Sequence, residues 1–128
     1  IGDCLRSCCN RGGEQSDAPS GAGFDLDICD GILGGYVASN PDLLCQAEIA
    51  LIYEGIRLLP FELGLRFLAD HLDGDRYFRV TRQGDNLRKA HVQFALVADI
   101  EHQAESIERL VRRHFGSPDR APGHRQSD

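Results

Sequence analysis

Residues 59–75 read LPFELGLRFLADHLDGD, and three charged side chains in that run, Glu62, Arg66 and Asp70, recur at every fourth position. On a helix each residue advances by about 100°, so the three fall within one sector of about 80°. An acid–guanidinium–acid row of this kind can do chemistry. Arg66 can bridge both carboxylates with its planar fork of donors, and the spare carboxylate oxygens can accept hydrogen bonds from a polyol or amine. Two readings are open. In the plainer one the row is a solvent face tied by i,i+4 pairs worth about 0.2–0.5 kcal/mol each. In the sharper one the helix is shielded on most sides. Leu63 and Phe67 flank the row on one side, and Leu65, Leu68, Ala69 and Leu72 on the other, leaving only Gly64 and His71 opposite. The charges would then line a wet cleft, because buried ions must be paired and hydrogen-bonded.

Other reactive side chains suggest less. Asp70, His71, Asp73 and Asp75 cluster in sequence. Their spacing does not meet the calcium-loop pattern, and they read as a helix end with a turn at Gly74, so no metal site is expected. His91 is expected to face inward as a core histidine, and His102 and His114 to face solvent. Arg76, Arg79 and Arg82 alternate along an extended piece, either as a solvated edge or as contacts to an anionic ligand. No phosphate loop, dinucleotide fingerprint, nucleophile elbow or zinc-protease motif occurs. No pair of residues nominates a nucleophile and its base, so no catalytic residue is expected in this chain.

The elements that must position these groups are read as helices. The 128 residues suit one domain or part of one, and 27% charged residues with ordinary apolar content suit a folded chain. The net charge of −6 opposes binding to a phosphate backbone, so no nucleic-acid partner is expected. No apolar run approaches the roughly 18 residues that cross a bilayer, and no membrane partner is expected. The opening residues lack the apolar stretch of a secretory leader. Five cysteines without a CxxC pair suggest small buried thiols in a reducing, cytoplasmic setting.

Along the chain, IGDCLRSCC reads as a helix start with Asp3 near its cap, and its abrupt opening is expected to mark a piece of a longer protein. Residues 10–24 read as a Gly/Ser/Pro-rich loop. Ile28, Ile32, Leu33, Tyr36 and Val37 mark a helix capped by Asp25 or Asp27, with Gly34 and Gly35 suggesting a close helix contact. Residues 45–72 read as one kinked helix or two meeting near Leu59, because Pro60 removes a donor. A short extended piece spans Tyr77 to Val80. A last helix runs from Asp85 or Asn86 to about Phe115, with Leu87, His91, Phe94, Ala98, Ile107, Leu110 and Val111 inward. Residues 116–128 read as a disordered tail.

The stretch LLPFELGLRFLADHLDGDRYFRV, followed by GDNLRKAHVQFALVADIE, resembles the C-terminal end of aminoglycoside phosphotransferase and choline kinase-like enzymes. Within them it looks closest to the N-acetylhexosamine 1-kinase type of sugar kinase. IGDCLRS resembles the segment that follows the metal-binding motif there, so the likeness spans about residues 1–9 and 45–105. The resemblance implies a mainly α fold, the C-terminal helical subdomain of a protein-kinase-like enzyme, occupying residues 1–115 with about four helices and one short extended segment. It implies that a full-length parent uses ATP and Mg2+ to phosphorylate a sugar-like hydroxyl acceptor. The HGD-type catalytic loop and the metal motif are not in this sequence, so the chain alone is expected to be inactive. By the same likeness Glu62, Arg66 and Asp70 would face or buttress the acceptor, Tyr77 would stack on its ring, and Asp3 would brace the catalytic loop. A different class, a non-catalytic helical interaction module, stays open. In either case exposed apolar surface would favour self-association.

Overall fold

The computed structural model describes residues 1–12 and 21–116. Six helices account for most of them: α1 (Gly2–Cys8), α2 (Leu26–Ser39), α3 (Gln46–Ala50), α4 (Ile52–Leu72), α5 (Asp85–His102) and α6 (Ala104–Phe115). The mainly α class is as expected, but the described residues form six helices rather than about four. Residues 77–80 form no strand. The two ends of the 10–24 segment meet instead, through an isolated bridge between Asn10 and Phe24. Residues 13–20 of that segment, and the tail beyond Gly116, lie outside the described residues.

Local chemistry explains where the helices begin and end. Asp25 caps α2, its Oδ1 accepting from the Asp27 and Ile28 amides at 3.0 and 3.1 Å. Asp3 is not a cap: Ile1 holds that position, and Asp3 lies in the first turn of α1. Pro60 does not break α4, which runs through it from Ile52 to Leu72 with the ring buried. The break falls earlier, at Leu51, which ends α3 and opens α4 with φ −95° and ψ −1°. Burial between neighbouring helices overrides the lost donor. The last helix is two helices rather than one, divided at Gln103. The Gln103 side chain is drawn off to the Phe24 carbonyl at 3.0 Å and to Asp99 at 2.7 Å.

α4 and α5 lie against each other along their length, α1 covers one side of α4, and α2 packs on α6. The core between them holds Leu5, Phe24, Leu33, Ile52, Ile56, Leu96, Ile100, Ile107 and Val111. The inward stripe of α5 is turned about one residue from the expected one. Asn86, Ala90, Gln93, Val97 and Ile100 are buried, while His91 and Ala98 are exposed. Asn86 and Gln93 are polar, so a hydropathy pattern passes over them. On α2 the buried positions are Cys29 and Leu33, and Ile28 is exposed.

The α4–α5 seam closes over Gly64. A Cβ there would lie 2.7 Å from Cε1 of Phe94, so the ring rests on bare backbone. Of the glycine pair on α2, Gly34 makes the expected close contact, against the His114 ring of α6. Gly35 faces open space.

Candidate site on the outer face of α4

The three members of the charged row part company. Asp70 is buried, with 7% of its surface exposed, and its carboxylate is saturated by the following loop and by Asn86 of α5. Oδ1 accepts from the amides of Arg76 and Tyr77 at 2.9 and 2.8 Å. Oδ2 accepts from the Phe78 amide at 2.9 Å and from the Asn86 side-chain amide at 2.8 Å. Burial alone would raise this carboxyl's pKa. The amides of Phe78, Tyr77 and Arg76 outweigh burial and hold it below the usual carboxylate range. Arg66 does not bridge to Asp70, and the acid–guanidinium–acid ladder does not form. Its Nε faces Glu62 Oε1 at 3.6 Å, and both side chains are about half exposed.

The helix is also not shielded on nearly all sides. Leu58, Phe61, Leu65 and Leu72 are 47, 42, 45 and 78% exposed. The physical reason is rotation: at about 100° per residue, the edge of the α4–α5 seam falls between Arg66 and Asp70. Two members stay outside and the third goes in.

Asp70 nonetheless shapes what lies outside. By holding three consecutive amides it folds residues 76–78 back over α4. Phe78 then packs on Phe67 with ring centroids 4.6 Å apart, and Tyr77 meets Phe78 edge-on at 4.9 Å. The Arg66 guanidinium carbon sits 5.8 Å from the Tyr77 ring centre and 5.5 Å from that of Phe78, within cation–π range. Tyr77 itself is 75% exposed. A carboxylate, a guanidinium and an open aromatic ring therefore share one outward patch.

A second buried carboxylate, not singled out from the sequence, fixes the far end of the same loop. Asp85 Oδ2 accepts from the Arg82 amide at 2.8 Å and from the Thr81 amide and hydroxyl at 2.7 and 2.8 Å. Arg88 reaches its other oxygen. The Arg82 amide, the Thr81 hydroxyl and the Thr81 amide hold the Asp85 carboxyl far below its ordinary value. Asn86 ties the two ends together, since its side-chain amide also donates to Asp75 Oδ1 at 2.8 Å. Asp75 adopts φ +58° just after Gly74 at φ +89°, and its amide returns to the Asp70 carbonyl at 2.8 Å. The signal for this pair was present: Asp85 follows Gly84 in the first turn of a helix, where acids favour the dipole.

Asp3 points outward, with its side chain 74% exposed, and pairs with Arg6 Nε at 2.9 Å. A cavity of about 230 Å³ opens elsewhere, between α3, α4 and α6, lined by Ile49, Tyr53, Glu54, Glu108, Val111 and Arg112 among others. It includes none of the candidate residues. The five cysteines are free. Cys9 and Cys29 are buried, and the contact with the Cys29 thiol, with burial, pushes the Cys9 thiol up. Among the described residues no group of three or more His, Cys, Asp or Glu side chains is gathered as a metal site would need. No protein-family model matches this sequence.

Proposed function

We propose that this chain is the acceptor-binding portion of an ATP-dependent small-molecule phosphotransferase, with a sugar-like hydroxyl compound as acceptor. The observation that carries the reading is the outward patch of Glu62, Arg66 and Tyr77, held in place by the buried Asp70. An aromatic face beside a carboxylate and a guanidinium suits a ring bearing hydroxyl groups. The ring stacks, Glu62 accepts from hydroxyls, and Arg66 donates to them. Asp70 is a positioning residue in this reading. The resemblance of residues 1–9 and 45–105 to N-acetylhexosamine 1-kinase-type enzymes supports the same conclusion. Phosphoryl transfer also needs phosphate positioning and an oriented nucleophile. ATP and Mg2+ therefore belong to a parent protein with a nucleotide-binding portion.

The test is an amide-shift NMR titration of the chain with N-acetylhexosamines. Shifts should gather at residues 62–66 and 76–78, and Tyr77→Ala should remove them while leaving the remaining spectrum intact. Unchanged spectra at near-millimolar sugar would reject the reading. With ATP, Mg2+ and sugar the chain alone should give no phosphorylated product.

A second reading, a non-catalytic helical interaction module, is favoured by the exposed leucines of α4. It predicts association without sugar binding.

A further inference from the structure

Four leucines on the outside of α4 stand seven residues apart: Leu51 at its N-cap, then Leu58, Leu65 and Leu72. Their exposures are 63, 47, 45 and 78%. Seven residues make two turns less about 20°, so the four form one nearly straight stripe along the helix. Phe61, 42% exposed, borders the stripe on one side, and Glu62 and Arg66 border it on the other. A heptad row of leucines flanked by opposite charges is the surface of a helix that packs on another helix.

We propose that α4 pairs with α4 of a second copy of this chain, antiparallel and centred on Leu65. The charges select this partner and this register. In a parallel pair the charged flank of one helix would face the Phe61 flank of the other. In an antiparallel pair related by a two-fold axis, charged flank meets charged flank. Three antiparallel registers keep at least three of the four leucines on leucine. Centring between Leu58 and Leu65 sets Glu62 beside the second copy's Glu62, like against like. Centring on Leu58 sets Glu62 level with the half-exposed Glu54 of the second copy, again like against like. Centring on Leu65 places Leu58 against the second copy's Leu72. It leaves Glu62 and the second copy's Arg66 about two residues, or ~3 Å, apart along the axis. Symmetry repeats that ion pair, and Phe61 meets the second copy's Leu68.

This pairing does not depend on the acceptor reading, and its test needs no sugar. The full chain, kept reduced so that the exposed Cys8 and Cys45 cannot cross-link, is followed by sedimentation equilibrium from micromolar to near-millimolar concentration. A monomer–dimer equilibrium is expected. Leu65→Glu, on an exposed position and with folding checked by circular dichroism, should weaken the dimer about a hundredfold. Glu62→Arg alone should weaken it about tenfold, and Glu62→Arg with Arg66→Glu should restore it, because the swap recreates both ion pairs. A chain that stays monomeric throughout would overturn the proposal. So would a dimer indifferent to Leu65→Glu, or a charge swap without recovery.

Discussion

At the scale of single residues, Asp70 shows how a carboxylate placed for binding can be spent on architecture. The four-residue spacing of Glu62, Arg66 and Asp70 was visible in the sequence, and Glu62 and Arg66 do meet at 3.6 Å. The capture of Asp70 by three amides was not visible, because it depends on how far the following loop folds back. Its bonds set a pH dependence. The folded pKa is depressed, so the stabilisation is present above the unfolded value of about 3.9 and is lost as pH falls through the lower folded value. Asp70→Asn keeps the shape but removes one acceptor oxygen and adds donors facing donors. It should lower the thermal midpoint by roughly 5–10 °C at neutral pH. It should also flatten the fall in midpoint between neutral and acid pH. Thermal scans of both proteins over that range check this, and parallel curves would show that the carboxylate is not what holds the loop.

At the scale of elements, the helical pattern was legible and the seams were not. The apolar residues of α2 give its span away, with Asp25 of the two candidate caps marking the start, whereas the breaks at Leu51 and Gln103 that open α4 and α6 leave no apolar signature. The buried face of α5 lies about one residue from the apolar stripe because it includes Asn86 and Gln93. Pro60 reads as a break or kink, yet packing carries α4 through it. Contact between helices decides these points, and sequence periodicity does not encode it. Gly64 is the clearest case: in the sequence it is only a gap opposite the charged row, but it is the place where Phe94 lies on backbone. Gly64→Ala should therefore destabilise despite alanine's better helix propensity, by about 1–3 kcal/mol, as overpacked seams do. Phe94→Leu in the same chain should recover part of that loss by shortening the clashing ring. Urea unfolding of the single and double variants gives the coupling directly, and additive effects would place the strain elsewhere.

At the scale of the whole molecule, one outward face is asked to do two things. The proposed acceptor patch uses Glu62 and Arg66, and so does the edge of the proposed α4 seam. A hydroxyl ligand that occupies those groups removes the ion pairs between copies, so the two events are linked and must oppose each other equally in both directions. Composition reveals neither event. A net charge of −6 weighs against a phosphate backbone without choosing any partner, and the leucine stripe becomes meaningful only once α4 is known to lie with that side open. The expected outcome is that N-acetylhexosamine raises the dimer dissociation constant about threefold to tenfold, and that dilution tightens apparent sugar affinity by the same factor. The charge-swapped chain should still dimerise but should not respond to sugar, because its carboxylate and guanidinium have exchanged places relative to Tyr77. Sedimentation with and without sugar, on both chains, separates the cases. A dimer that ignores sugar while the NMR titration shows binding at Tyr77 would mean that the two sites share the helix without sharing residues.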